Sequence, residues 1–236
     1  MSQSAKHQPR PGAWTGHQSA PLEVILLRHG QTEMSAKGQY SGCGSDPELT
    51  DFGKQQAAAA ARYLAQRWQI EKIYTSPLTR TRQTAAAVAK VCDPAVEVLA
   101  HQGLRETDFG DWEGLAFAEA RGRDPEFHAN WLADPTMCAP GGESFAQTDR
   151  RVNDAANEIV AANLQEVEAS PDGKPGAIVI VSHVTPIKAI IRVGLQCDYR
   201  IYRTLHLGLA SVSTVLRYAN GDATVTCIND TSHTLG

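Results

Sequence analysis

Short apolar runs alternate with helical patterns along this sequence, and that alternation constrains the fold more than any other feature. Residues 22–27 are an aliphatic run broken by one glutamate, and residues 176–183, GAIVIVSH, form the most clearly buried strand pattern. Segments of high helix propensity lie between such runs, for example residues 49–68, in which Thr50 can cap the helix. Strands joined through helices predict a three-layer α/β/α fold around a largely parallel sheet.

The two ends of the chain depart from this alternation. Residues 209–218 and 223–230 are two strand patterns in succession, and Asn220-Gly221 between them predicts a hairpin. Residues 1–21 are rich in Gln, Ser, Pro and Gly and have almost no aliphatic side chains, which predicts a flexible tail or linker. We therefore expect one folded domain over residues 22–236.

Composition excludes several classes of protein. A formal net charge of −4 argues against a nucleic-acid-binding surface, which is normally basic. The five cysteines are scattered without a C-x-x-C pair, so neither a disulfide framework nor a zinc site is expected. No apolar run is long enough to span a membrane, and the first twenty residues lack the apolar core of a signal peptide. We expect a cytoplasmic protein that binds neither nucleic acid nor membrane.

Polar residues follow two of the buried strands at the points where the strands end. Arg28 and His29 follow the first strand, and His183 follows GAIVIVS. Arg80 falls in the first turn of the helix after the strand KIYTS. Ligands of parallel α/β sheets bind at the carboxyl ends of the strands, so the two histidines and two arginines are predicted to meet at one edge.

These residue types in one place suit chemistry on a phosphate ester. Arginine offers planar donors that match phosphate oxygens. His29 can attack phosphorus through one ring nitrogen if a hydrogen bond holds the other, and His183 can donate to a phosphoryl oxygen. A leaving alkoxide needs a proton, and Glu106 in LRETDFGDWEGL is the acidic candidate if its pKa is raised.

Five motifs in order carry a family resemblance: LLRHGQT, TSPLTRTRQTA, LRETDFGDWEG, PGGES and VSHVTPIK. Together they resemble the histidine phosphatase superfamily, the phosphoglycerate-mutase-like group, over residues from about 22 to about 230. The resemblance implies that His29 is the phosphorylated nucleophile and that Glu106 is first the proton donor and then the base for water. It implies a phosphate pocket of Arg28, Arg80 and His183, to which we add Thr32 and Ser41. No metal and no cofactor are expected.

The details within the superfamily favour a phosphatase. Cofactor-dependent mutases typically carry an ERHYGG-like stretch where this chain has ETDFGDWEG, and an asparagine where Ser35 stands. The motifs resemble most closely the acid phosphatase domain that follows an RNase H domain in actinobacterial proteins, and the phosphatases acting on α-ribazole 5′-phosphate. We expect a phosphomonoester hydrolase that acts through phosphohistidine on a small phosphorylated metabolite, with α-ribazole 5′-phosphate as one candidate. The alternatives are a phosphoglycerate mutase and a non-catalytic domain of the same fold.

Other side chains leave two interpretations open. Trp112, Phe117 and Trp131 either line an apolar specificity pocket or pack a helical cap. The remaining histidines of the folded region are interpreted as surface or core residues; they are His101, His128, His206 and His233.

Overall fold

The computed structural model of the protein describes residues 21–92, 96–164 and 176–234. The predicted tail lies outside these residues apart from Pro21. The strands of the described residues are β1 (Leu22–Arg28), β2 (Gln69–Thr75), β3 (Glu97–Ala100), β4 (Gly176–Ser182), β5 (Val212–Arg217) and β6 (Ala223–Asp230). The α-helices of the same residues are α1 (Glu33–Ala36), α2 (Asp51–Arg67), α3 (Thr79–Val91), α4 (Phe117–Arg123), α5 (Pro125–Ala133), α6 (Phe145–Asn163), α7 (Val184–Leu195) and α8 (Ile201–Thr204).

The described strands form one sheet in the order β3-β2-β4-β1-β5-β6. β1 and β2 each run parallel to β4, and β2 runs parallel to β3. β5 is antiparallel to both β1 and β6, and the turn between β5 and β6 contains Gly221 at φ +89°. The expected hairpin is therefore confirmed, and the parallel part of the sheet comprises the four strands that are followed by helices.

Helices cover both faces of the sheet because the strands are apolar on both faces. Val24 and Leu26 of β1 face the core that α6 and α7 complete, whereas Ile25 and Leu27 face α2 and α3. All four side chains are 2% exposed or less, and full burial of such a side chain contributes about 1.5–3 kcal/mol. The three-layer α/β/α prediction is confirmed.

Side-chain caps fix where two of the long helices begin. Thr50 accepts the backbone N–H of Gly53 and caps α2, as its sequence predicts. Ser144 caps α6 through a capping box, in which Ser144 Oγ accepts the Gln147 N–H and Gln147 Oε1 accepts the Ser144 N–H. Such caps contribute about 1 kcal/mol each, because they satisfy backbone N–H groups that have no partner within the helix.

The parallel register brings three strand ends together. Arg28 on β1 pairs with Ser182 on β4, and Thr75 on β2 pairs with Val181. The residues that follow these strands therefore lie side by side at one edge of the sheet, where ligands of such sheets bind.

Three further findings concern the described part of the chain. It contains no helix that is both long and apolar enough to cross a membrane. It contains no cluster of three or more His, Cys, Asp or Glu side chains that could hold a metal ion. All five cysteines lie within it as free, partly buried thiols.

Candidate active site

His29 is the residue at which the chain leaves β1, and its backbone N–H donates to the carbonyl of Ser182 at 3.0 Å. Its ring Nδ1 lies 2.7 Å from the carbonyl oxygen of Gly30. A carbonyl can only accept, so Nδ1 carries the proton and Nε2 keeps its lone pair. Burial, followed by the charges of Arg80 and Arg28, holds the pKa of His29 well below its usual range. The ring is therefore neutral near pH 7, with Nε2 available as a nucleophile.

The turn after His29 requires glycine. A Cβ at Gly30 would lie 2.3 Å from the carbonyl oxygen of Gly53 on α2, which leaves no room for any side chain. The Gly30 amide donates to Thr84 Oγ1 on α3 at 3.2 Å. The backbone thus passes closely between two helices and presents its carbonyl to the His29 ring.

His183 follows β4 and is the N-cap residue of α7. Its ring centroid lies 5.2 Å from that of His29. The Nε–H of Arg80 donates to His183 Nδ1 at 3.2 Å, so Nε2 carries the ring proton and donates to Ser76 Oγ at 2.9 Å. Burial and then the Arg80 charge hold the pKa of His183 well below its usual range. The sequence predicts that His183 donates this N–H to a phosphoryl oxygen, but in the structure it donates to Ser76 Oγ. A bound phosphate oxygen would therefore compete with the Ser76 hydroxyl for the same donor.

Arg80 lies in the first turn of α3, as predicted, and is almost completely buried. Its guanidinium donates to three backbone carbonyls of one loop, those of Ser45 at 3.1 Å, Ser41 at 3.0 Å and Gly42 at 2.9 Å. Glu113 holds the same loop from the other side by accepting the Gly42 N–H at 3.0 Å. Most Arg80 donors are therefore engaged by the protein, and the residue both positions this loop and places a positive charge beside the histidines.

Arg28 has one buried donor that no described residue accepts. One of its terminal nitrogens donates to the Leu207 carbonyl at 2.6 Å, but its Nε is buried and has no hydrogen-bond partner among the described residues. Burial lowers the pKa of Arg28 to about 10, with Glu106 raising it and Arg80 lowering it, so the side chain stays cationic near pH 7. An unpaired buried donor on a cation close to His29 is suited to a phosphoryl oxygen.

Glu106 follows the 3-10 turn Gln102–Leu104 and is 6% exposed. Its Oε1 accepts the Thr107 N–H at 2.9 Å, and the amide and hydroxyl of Thr185 at the start of α7 also donate to the carboxyl group. Burial raises the pKa of Glu106 against the lowering effect of these hydrogen bonds. A buried carboxyl group on the same cavity wall as His29 can retain a proton closer to neutrality than an exposed glutamate.

Thr32 and Ser41, the two further phosphate-binding candidates, are placed differently. Thr32 is buried and caps α1, since its Oγ1 accepts the Ser35 N–H at 3.2 Å and its own N–H donates to Ser35 Oγ at 2.9 Å. It does not line the cavity described below. Ser41 does line it, with its hydroxyl accepting a hydrogen bond from Ser45. The structure therefore brings Ser41, but not Thr32, to the wall next to His29.

The site opens into a cavity of about 360 Å³. Among the described residues, the aromatic side chains in its walls are Tyr40, Phe109, Phe117, Trp131, Phe145 and Tyr202. Phe117 is 52% exposed, whereas Trp131 is nearly buried. Trp112 packs behind this wall, with its ring centroid 4.9 Å from that of Trp131. Both open alternatives therefore hold: Phe117 and Trp131 line the cavity, and Trp112 packs the cap.

Like His183, the other four histidines of the described residues are not among those that line the cavity. His128 is a core residue hydrogen-bonded to the Tyr40 hydroxyl at 2.8 Å, and His206 is exposed. His101 pairs with Glu158, and His233 contacts the Ala210 carbonyl at 2.9 Å. His128 is thus a core residue and His206 a surface residue, as interpreted, whereas His101 and His233 are partly buried.

Sequence reasoning missed two polar members of the site on α7, Thr185 and Lys188. Both line the cavity, and they lie three residues apart on one face of the helix. The available signal was a lysine inside the apolar run PIKAII, on a helix that directly follows the most buried strand. A charge at such a position is costly unless a partner compensates it.

The fold and this edge define a class: three-layer α/β proteins that hold a phosphate between histidine and arginine side chains at the carboxyl ends of parallel strands. Comparison with protein families identifies the family within this class. The chain belongs to the histidine phosphatase superfamily (branch 1), whose family model matches residues 24–231.

Phosphatases are among its relatives. The chain is 43% identical over 230 residues to the bifunctional protein Rv2228c of Mycobacterium tuberculosis, covering 97% of this chain but only 59% of that longer protein. It is 30% identical over 197 residues to phosphoserine phosphatase 1 of Hydrogenobacter thermophilus, covering 79% of this chain and 87% of the relative.

A solved structure shows the same architecture. The mycobacterial glucosyl-3-phosphoglycerate phosphatase Rv2419c, in a complex with VO3, superposes with a TM-score of 0.75 at 30% identity. The match covers 88% of this chain and 98% of that structure. The phosphoglycerate-mutase-like fold expected from the motifs is thereby confirmed.

Proposed function

We propose that this chain hydrolyses phosphomonoesters through a phosphohistidine formed on His29. The observation that carries the proposal is the hydrogen bond from His29 Nδ1 to the Gly30 carbonyl. It fixes the tautomer and leaves the Nε2 lone pair free. Arg28, whose buried Nε has no hydrogen-bond partner among the described residues, and the buried Glu106 line the same cavity as His29. Phosphoryl transfer depends mainly on such positioning and charge stabilisation.

In the first half-reaction, His29 Nε2 attacks phosphorus and the bond from phosphorus to the ester oxygen breaks. Arg28 donates to the phosphoryl oxygens, and the charges of Arg28 and Arg80 stabilise the negative charge in the transition state. Glu106 gives its proton to the departing alkoxide, which leaves as the alcohol. Glu106 ends this step as a carboxylate that Thr107 and Thr185 stabilise by donating hydrogen bonds.

In the second half-reaction, Glu106 accepts a proton from a water molecule as the water oxygen attacks phosphorus. The bond from His29 Nε2 to phosphorus breaks, inorganic phosphate leaves, and both groups return to their starting protonation. The cycle consumes one phosphate ester and one water molecule and releases one alcohol and one inorganic phosphate.

The walls of the cavity suggest what the leaving alcohol carries. Aromatic side chains on several sides favour a flat apolar body, because such surfaces stack on one another and gain from burial. α-Ribazole 5′-phosphate, suggested by the sequence resemblance, has such a body in its benzimidazole base. We propose it as the first metabolite to assay, together with phosphoserine and glucosyl-3-phosphoglycerate, the substrates named for relatives.

The test is to trap the phosphoenzyme. Acid-labile phosphate should appear on the wild-type chain after rapid quenching with a phosphomonoester, and it should be absent from His29→Ala. His206→Ala, which removes an exposed histidine outside the cavity, is the matched control and should label as the wild type does.

Three results would contradict the proposal. Label that persists in His29→Ala would assign the nucleophile elsewhere. Isomerisation of phosphoglycerate without net phosphate release would indicate a mutase. A wild-type chain that neither labels nor turns over any phosphomonoester would indicate a non-catalytic domain.

A further inference from the structure

We infer that Lys188 selects substrates whose leaving alcohol carries an anionic group, such as a carboxylate, on its apolar body. The inference deepens the proposed function and rests on it. Lys188 lies on α7 and lines the same cavity as His29 and Glu106, yet it is not needed for either half-reaction.

The ammonium group of Lys188 has unused donors. Its Nζ donates to the backbone carbonyl of Tyr202 at 2.9 Å, and among the described residues that is its hydrogen-bond partner; no carboxylate there is within ion-pair distance. An ammonium group has three N–H donors, so two remain for a ligand in the cavity. An acceptor supplied by the substrate can satisfy them.

Keeping a charge at this position is costly to the protein. The side chain is only 8% exposed, and a buried ion without a counterion loses the solvation that water would give it. Burial lowers the pKa of Lys188 to about 8, with Glu106 raising it and Arg28 lowering it, so the group still carries its charge at pH 7. A methionine would fill the same space at lower cost, so the charge is better explained by a ligand than by packing.

The position of the ammonium group is specified relative to the reaction. Thr185 holds Glu106, the proposed proton donor to the leaving oxygen, and Lys188 lies one helical turn further along α7 on the same face. On this basis the inference places the group that Lys188 meets on the leaving alcohol, next to Glu106, rather than on the phosphoryl group at His29.

The other side of Lys188 is held rigidly. Tyr202, whose carbonyl accepts from Lys188, donates its own hydroxyl to Asp149 Oδ1 at 2.8 Å. Asp149 in turn accepts two hydrogen bonds from Arg192, both at 2.7 Å. This buried network links α6, α7 and α8 behind the cavity wall, and it keeps the lysine positioned before a ligand binds.

The test compares phenyl phosphate with 3-carboxyphenyl phosphate, which differ by one carboxylate at a position that changes the acidity of the phenol little. The wild-type chain should show a lower KM for the carboxylated ester. Lys188→Met should lower the ratio of kcat/KM for the carboxylated ester over phenyl phosphate by about tenfold to a hundredfold, the loss expected for a charge-assisted hydrogen bond. Lys188→Arg should keep the preference. Lys90→Met, at an exposed lysine on α3, is the matched control and should change neither substrate.

The outcomes separate this inference from the proposed function. If the wild-type chain hydrolyses neither ester, the proposed function fails. If it hydrolyses both with equal KM, the inference fails whatever the variants do. An equal loss on both esters in Lys188→Met, or a rise in the inhibition constant of inorganic phosphate as large as the loss of selectivity, would place Lys188 on the phosphoryl group and overturn the inference.

Discussion

Replacing Glu106 by glutamine tests the proton donor with the smallest change of shape. The amide oxygen of glutamine can still accept the Thr107 N–H that Glu106 Oε1 accepts at 2.9 Å. The amide group has no proton to give to a leaving alkoxide at neutral pH. Glu106→Gln therefore removes general acid catalysis while it keeps most of the contacts of the site.

The effect should depend on the leaving group. General acid–base catalysis contributes about 10²- to 10⁴-fold, so hydrolysis of an alkyl phosphate should slow by that factor. p-Nitrophenolate is stable as an anion and needs a proton far less, so hydrolysis of p-nitrophenyl phosphate should slow by less than about tenfold.

A cost in stability accompanies the substitution. The glutamine NH2 group faces the donors of Thr185, and leaving buried donors unpaired costs about 1–3 kcal/mol. That cost is smaller than the stability of a typical domain, and for a chain of this size it corresponds to a loss of about 2–12 °C in Tm. The variant should therefore remain folded at assay temperature.

The assay measures kcat/KM for both esters, the inhibition constant of inorganic phosphate and Tm. The matched control is Glu113→Gln, because Glu113 anchors the loop at Gly42 and Ser45 without lining the cavity. Loss of that anchor should slow both esters by the same factor. Equal losses for both esters in Glu106→Gln, with hydrolysis of the phosphoenzyme not limiting, would refute the role of Glu106 as the acid.

Two further predictions concern charge and pH. Arg80→Ala should lower kcat/KM by about a hundredfold or more, because it removes a buried charge beside the histidines and the anchor of the adjacent loop. Arg82→Ala, at an exposed position, should change kcat/KM by less than about twofold. A larger loss in Arg82→Ala than in Arg80→Ala would contradict the placement of α3. The pKa of His29 is lowered, so its neutral form persists below pH 6.5 and the acidic fall in kcat/KM should lie well below that pH. The pKa of Glu106 is raised, so its protonated form persists above pH 4.5. The fall of kcat/KM for an alkyl phosphate at alkaline pH should therefore begin above that pH and should disappear in Glu106→Gln. An unchanged alkaline fall of kcat/KM in the variant would assign this ionisation to another group.

The layered fold could be predicted because its determinants are local. Unbroken aliphatic runs such as residues 178–181 have to be buried on both faces, and helices between parallel strands are the connections that provide this burial. The same rule placed His29 and His183 at one edge, since a residue that follows a parallel strand lies at its carboxyl end whatever else the chain does.

Which hydrogen-bond partner each of these side chains has depends on contacts between residues far apart in sequence. The sequence predicts that the guanidinium of Arg80 binds phosphate. In the structure, one terminal nitrogen of this guanidinium already donates to the backbone carbonyls of Ser41 and Gly42. Thr32 follows the R-H-G turn, but its hydroxyl begins α1 instead of facing the cavity. Local sequence specifies which donors exist, and the tertiary structure specifies which of them another part of the chain has already satisfied.

The sequence by itself determined that an arginine, a histidine and a glycine turn lie at the end of a buried strand. The length of that strand and the need for glycine after it depend on neighbouring residues. Only the tertiary structure decided that Lys188 faces an aromatic cavity and not a carboxylate. The periodicity of α7 shows that this position is buried, but burial is common to core, ion-pair and ligand-facing residues. These three kinds of residue differ in which groups the side chain contacts. For Lys188 the contact is the Tyr202 carbonyl of α8, more than ten residues away along the chain, and the periodicity of α7 does not reveal it.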